Sequence, residues 1–201
     1  MVKTAVFVSG NGSNLQALID AKAAGEMEHV ELSLVVSSKA DSYALVRARE
    51  NSIDAVVVER KKYKDDVIGF ERELLTHLLS RKIELIVLAG FLTIFTADFI
   101  TLYRDRIINV HPALLPSFGG KKYYGLRVHE AALAAGVKVS GATVHYVNEE
   151  VDSGKIILQK AVEVLDDDTP STLQLRIMEQ AEWILLPKAT EIVACDIYHA
   201  T

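Results

Sequence analysis

The feature that most constrains this chain is a rhythm. Over its first 111 residues, short apolar runs alternate with segments of helical composition. The runs are "KTAVFV" (3–8), "ELSLVVSS" (31–38), "DAVVVE" (54–59), "ELIVLAG" (84–90) and "IINVH" (107–111). Between them lie "NLQALIDAKAAG", which stops at Gly25, then "DSYALVRAREN", Asp66–Ser80 and "TADFITLYRDR". In Asp66–Ser80 the apolar positions Val67, Phe70, Leu74, Leu75 and Leu78 fit the helical template, and Thr96 is a suitable N-cap for the last segment. A strand as uniformly apolar as "ELIVLAG" is covered on both faces. Strands separated by helices in this way predict βαβ units, and hence an α/β fold with a doubly wound, mostly parallel sheet and helices on both faces.

Beyond residue 120 the rhythm changes. A short helix "VHEAALAAG" leads to "GATVHYVN" and "KIILQKAVEV", close enough to pair as antiparallel strands toward the C-terminal part. "TPSTLQLRIMEQAEWILLPKATEIV" reads as one long amphipathic helix with Pro170 in its first turn. No repeat, low-complexity tract or linker divides the chain, so a single domain over 1–201 is expected. With 50% apolar and 24% charged residues the composition is that of an ordinary globular protein, and a net charge of -5 argues against a broad nucleic-acid or membrane-binding surface. The one cysteine, Cys195, excludes an internal disulfide framework and cysteine-rich zinc sites. No run is long enough to span a bilayer and the N-terminus lacks a secretory pattern, so the cytoplasm is the expected compartment. The last helix and the antiparallel strands offer an apolar edge to a second subunit, and a homodimer is compatible with that pattern.

Two stretches carry chemistry. "SGNGSN" (9–14) follows the first strand and opens a helix, where glycines permit a tight turn and free N–H groups suit an anion. It is neither a Walker A loop nor a GxGxxG fingerprint. Ser13 and Asn14 either add hydrogen bonds to a phosphate or cap the helix. In "IINVHPALLPS" (107–117), alternation places Asn109 and His111 on one face at the strand's carboxyl end, where open α/β sheets bind ligands. An amide can donate to a developing oxyanion and a histidine can hold or pass a proton, which suits acyl transfer. The plainer alternative is a structural histidine. Asp152 in "NEEVDSGKIIL" is a candidate partner, but spacing does not separate it from Glu149 and Glu150. His77, His129 and His145 show no HExxH-like spacing, so no metal is expected, and no serine sits in a GxSxG elbow.

These stretches, with "IVLAGFLTIF" and "VDSGKIILQ", fall in the order and near the spacing of one family. The chain resembles the folate-dependent phosphoribosylglycinamide formyltransferases of purine biosynthesis over nearly its whole length. The resemblance implies a formyltransferase-like fold. It also implies transfer of the formyl group of 10-formyltetrahydrofolate to the amine of glycinamide ribonucleotide by direct attack through a tetrahedral intermediate. Gly12, Ser13 and Asn14 match the family's phosphate-binding positions. Leu92, Thr93, Ile94 and Phe95 match the segment whose backbone holds the pterin, with Asn109 also at the folate. Asn109, His111 and Asp152 match the catalytic trio, in which Asp152 would keep His111 protonated. Glu182 falls near a position that contacts the ribose.

Departures from the family concern cations and one loop. Thr93 stands where the family often has a basic residue. A second basic position falls near Asp66 or Val67, leaving Lys61, Lys62 and Lys64 nearby, and "GGKKYYG" (119–125) is longer than the common loop. Rival readings are a 10-formyltetrahydrofolate hydrolase or another formyltransferase on the same scaffold, and a non-catalytic module that binds a phosphorylated metabolite. A methionyl-tRNA formyltransferase would be expected to add a C-terminal domain and a basic face.

Overall fold

The computed structural model describes residues 1–200. Its seven strands are β1 (Val2–Val8), β2 (Val30–Ser37), β3 (Ala55–Val57), β4 (Leu85–Ala89), β5 (Ile107–His111), β6 (Val139–Tyr146) and β7 (Ile156–Glu163). They form one sheet in the order β3-β2-β1-β4-β5-β6-β7. The first five are parallel, whereas β6 runs antiparallel to β5 and β7 antiparallel to β6. This is the mostly parallel sheet with antiparallel C-terminal strands that the sequence predicts.

Seven α-helices complete the fold: α1 (Ser13–Ala23), α2 (Ala44–Glu50), α3 (Val67–Ser80), α4 (Ala97–Leu102), α5 (Leu126–Ala134), α6 (Pro170–Ile177) and α7 (Trp183–Ala200). Alternation along β1 shows why both faces need them. Val6 and Val8 join a core with Leu15, Leu18, Ala132 and Leu186 on one face. Ala5 and Phe7 join a second core with Phe70, Leu74 and Phe99 on the other. At about 25 cal/mol per Å² of apolar area removed from water, such two-sided burial is the main force holding the sheet between its helices.

Thr96 caps α4 as expected, its hydroxyl accepting from the Phe99 N–H at 3.3 Å, but that helix ends at Leu102, four residues short of the predicted segment. The third strand shrinks to Ala55–Val57, an edge paired only with β2. The long C-terminal helix is not continuous. A π-helical turn, Met178–Glu182, separates α6 from α7, and Pro187 lies inside α7. A proline in a helix removes a donor and crowds the preceding turn, and π turns ease such mismatches while redirecting side chains. Here the turn delivers Glu182 toward the carboxyl edge of the sheet.

That edge is also where the winding reverses. β1 lies between β2 and β4, so the chain leaves its first strand toward one side and its fourth toward the other. The crevice between them is the expected ligand site of such a sheet.

Candidate active site

A cleft of about 580 Å³ opens at this crevice, within the usual range for a small-molecule site. One wall is the loop after β1. Gly12 occupies the N-cap of α1 with φ +74°, and no side chain caps the helix. A Cβ at Gly12 would lie 2.6 Å from the Ala44 Cβ and 2.9 Å from its Cα, so α2 closes against the loop where only glycine fits. The loop is tied down from behind. Ser42 Oγ donates to the Gly10 carbonyl at 2.6 Å, and Arg47 Nε donates to the Asn11 carbonyl at 3.0 Å. With no acidic residue in the first turn, the open N–H groups of α1 form an anion-accepting end.

The capping alternative for Ser13 and Asn14 therefore does not hold. Asn14 instead donates its amide to Glu182 Oε2 at 2.7 Å, joining α1 to the π turn. Burial pushes the Glu182 carboxyl above its ordinary range, and the Asn14 amide only partly offsets this. Gly12, Ser13, Asn14 and Glu182 all line the cleft.

The opposite wall follows β4. Gly90, at φ +77°, turns the chain into an irregular segment, Phe91–Phe95. Alternate side chains separate within it: Phe91 and Phe95 are buried, whereas Leu92 and Ile94 are exposed. The buried rings continue an aromatic column, with Phe95 stacked on Phe91 at 5.8 Å and on Phe99 at 4.4 Å between centroids. Buried Glu71 on α3 anchors the end of the segment, accepting from both the backbone N–H and the hydroxyl of Thr96 at 2.6 Å. A rigid backbone with apolar side chains facing outward suits a flat, polar-edged ring. Leu92, Thr93, Ile94 and Phe95 all line the cleft.

The floor comes from β5 and β6. Antiparallel register sets Asn109 opposite His145 and His111 opposite Thr143. Thr143 holds the exit from β5: its hydroxyl donates to the Ala113 carbonyl at 2.7 Å and accepts from the Leu115 N–H at 3.1 Å. His145 Nδ1 lies 2.8 Å from the Tyr146 carbonyl, which can only accept, so Nδ1 carries a hydrogen. Nε2 faces Asn109 and Asp152. Asn109 Nδ2 meets that Nε2 at 3.2 Å. This contact orients the Asn109 amide, which lines the cleft.

Asp152 is the carboxylate brought to this floor. Its Oδ2 lies 3.5 Å from His111 Nδ1 and its Oδ1 3.7 Å from His145 Nε2. Gly120 N–H donates to Oδ2 at 2.8 Å. Glu149 instead faces Arg104 at the surface, 3.4 Å away. Burial raises the Asp152 pKa, but His145, the charge of His111 and the Gly120 N–H together outweigh it, leaving the carboxyl below its ordinary value.

His111 is balanced the other way. Its Nε2 donates to the Phe118 carbonyl at 2.8 Å while Nδ1 faces Asp152. Both neighbours are acceptors and favour the doubly protonated ring. Burial is nevertheless the largest influence, and it holds the pKa below the ordinary histidine value. The attraction of Asp152 for a protonated His111 is thus present, and burial opposes it and exceeds it. The ring lies between two fixed acceptors in a site whose burial opposes its charge.

A family model described as formyl transferase matches residues 2–190. The chain belongs to that family. Its relatives narrow the comparison. The phosphoribosylglycinamide formyltransferase of Haemophilus influenzae is 41% identical, covering 90% of this chain and 82% of that protein. The trifunctional purine biosynthetic protein adenosine-3 of Drosophila melanogaster is 42% identical over 90% of this chain, which spans only 13% of that longer protein. Among solved structures, glycinamide ribonucleotide transformylase 1 from Symbiobacterium toebii superposes with a TM-score of 0.89 at 37% identity, covering 96% of this chain and 88% of that one.

None of Lys61, Lys62 and Lys64 lines the cleft. Lys61 and Lys62 both pair with Glu59, at 2.8 and 2.7 Å, and lie outside the cleft. Lys121, from the long loop at 119–125, lines the cleft instead. His145 is the residue the sequence reading set aside and the geometry brings in. On the page it is one more residue of an ordinary strand, and only the β5–β6 register reveals that it faces Asn109.

Proposed function

We propose that this chain is a phosphoribosylglycinamide formyltransferase, moving the formyl group of 10-formyltetrahydrofolate onto the amine of glycinamide ribonucleotide. The observation that carries the reading is the convergence of Asn109, His111 and Asp152 on a cleft shared with the open N-terminus of α1. The ribonucleotide phosphate lies against Gly12, Ser13 and Asn14, with Glu182 at the ribose. The pterin lies along Leu92–Phe95 and near Asn109. Residues 1–201 act as one formyltransferase domain, a reading supported by a single sheet carrying both cores. Among the described residues no helix is long and apolar enough to cross a membrane, and the cytoplasm is the compartment we assign.

In the proposed reaction the amine nitrogen attacks the formyl carbon. A C–N bond forms, and the carbonyl π pair moves to oxygen, where the Asn109 amide donates to it. His111, with its Nε2 released from the Phe118 carbonyl and its ring hydrogen on Nδ1 against Asp152, takes a proton at Nε2 from the ammonium so formed. The imidazolium is stabilised by ionised Asp152, whose own low pKa keeps it from taking the proton outright. The bond from carbon to the folate nitrogen then breaks, and that nitrogen receives the proton. His111 must exchange the Phe118 carbonyl for the reacting groups during the cycle. Phe118 sits at φ +53°, a conformation costly for an aromatic residue, so that contact is held under strain.

The test follows folate absorbance when the protein meets glycinamide ribonucleotide and a 10-formyl folate. Ribonucleotide-dependent deformylation, reduced about a hundredfold or more by Asn109→Ala, is the expected result. Turnover without the ribonucleotide would replace this reading with hydrolysis of the formyl folate. Ribonucleotide binding without any turnover would leave only the binding module.

A further inference from the structure

A second cluster of ligating side chains lies at the other edge of the sheet, and the formyl-transfer chemistry makes no use of it. Cys195 and His199 stand one helical turn apart on α7, so both side chains fall on one stripe of the helix. His29, the residue before β2, faces that stripe. One ligand atom from each of His29, Cys195 and His199 lies within 4.8 Å of the others. The rings of His29 and His199 are 5.6 Å apart between centroids, with Tyr198 5.1 Å from His29.

Glu191, one turn earlier on the same stripe, fixes the histidine opposite. It accepts the His29 backbone N–H through both oxygens, at 3.2 and 3.1 Å, and contacts Nδ1 at 2.6 Å. The His29 carbonyl accepts from the Val2 N–H at 2.6 Å, so its backbone is held from both sides. With Nδ1 engaged by a carboxylate, Nε2 is the nitrogen left for a ligand. A carboxylate that orients an imidazole through one nitrogen while the other binds metal is the usual support of a histidine ligand.

We propose that His29, Cys195 and His199 bind a zinc-class divalent cation, with Glu191 as the orienting residue. A thiolate and two imidazoles suit a borderline-soft ion and leave a fourth position for water. Tetrahedral zinc requires ligand atoms roughly 3.3–3.8 Å apart. Closure from 4.8 Å takes about an ångström of side-chain rotation, and exposed His199 is free to supply it. The ligands bind as thiolate and neutral imidazoles, so binding is coupled to proton release and strengthens as pH rises. The ion joins the last turns of α7 to the edge where β1 and β2 begin. Eight-residue β2 separates this site from the cleft by roughly 25 Å of strand.

The test uses the full chain without a polyhistidine tag, titrated with Zn²⁺ against a chromophoric chelator and separately with Co²⁺. The expected result is one ion per chain and a near-ultraviolet thiolate-to-cobalt band. Cys195→Ala should abolish the band, His29→Ala and His199→Ala should each weaken binding, and Glu191→Gln should weaken it about 10- to 100-fold. Circular dichroism and unchanged formyl-transfer turnover in Cys195→Ala would show that the variant folds. No binding at micromolar metal, or one-to-one binding that survives both Cys195→Ala and His29→Ala, would overturn the proposal.

Discussion

Two buried histidines, near enough for the charge of one to act on the other, meet different surroundings. His111, at the end of β5, and His129, on α5, are both removed from solvent and both held below the ordinary histidine pKa. Their neighbours differ. His111 faces a carboxylate and a carbonyl, which pull its pKa back up against burial. His129 has no hydrogen-bond partner at either nitrogen among the described residues, and burial followed by the nearby His111 pushes it down to about 4. The same desolvation therefore produces a ring poised to gain a proton at β5 and one that stays neutral at α5. Burial sets the direction of a shift, and the acceptors within reach decide whether the group remains usable.

The comparison breaks most sharply at the carboxylate. Asp152→Asn removes the charge that supports His111 as it takes up a proton, and kcat should fall about 10²- to 10³-fold in steady-state assays. The residual activity carries a second signal. Because His111 lies below 6.5, the acid limb of kcat/KM should lie below the ordinary histidine value. Loss of the Asp152 attraction should move that limb lower still. A limb that stays in place or rises in the variant would show that His111 is not the group being titrated.

His129 should leave catalysis largely alone and appear in stability. As pH falls below 6.5, the unfolded chain takes up a proton that folded His129 refuses until about pH 4. Its contribution is fully present above pH 6.5 and is lost between 6.5 and 4. With about 1.4 kcal/mol per pKa unit, the loss is at most ~3 kcal/mol. Urea unfolding at a series of pH values should show a shallower acid decline in His129→Leu than in the parent. Equal slopes would mean that His129 does not carry the difference.

How far all this was legible in the sequence follows from how local each feature is. The parallel strands were readable because burial on both faces makes them continuously apolar, as in "ELIVLAG". Asn109 and His111 stood out for the opposite reason, as polar groups in such a strand. Asp152 could not be told from Glu149 by spacing, and it is separated only by where its turn folds: one carboxylate under His111, the other on Arg104. His145 and Glu182 depended on partners far away in the chain, through an antiparallel register and a π turn that no local pattern announces. The balance at His111 was not legible because the sequence shows the charged neighbour and not the burial that opposes it. Cys195 and His199 do have the i, i+4 spacing of a helical ligand pair, but their third member lies before the second strand.

The smallest test contrasts the two glycines of "SGNGSN". At Gly10 an added methyl group meets nothing within 4 Å, whereas at Gly12 it meets Ala44 at 2.6 Å in a left-handed backbone. Gly12→Ala should therefore cost about 1–2 kcal/mol for the left-handed conformation alone, with further loss as α2 moves back from the loop. Because that loop aims the first N–H groups of α1, the KM for the ribonucleotide should rise more than kcat falls. Gly10→Ala should leave stability within about 0.5 kcal/mol of the parent, so any rise in its KM would come from the ligand side of the loop. Equal stability losses in the two variants would mean that Ala44 yields easily, and that the loop does not need a glycine at position 12 for its shape.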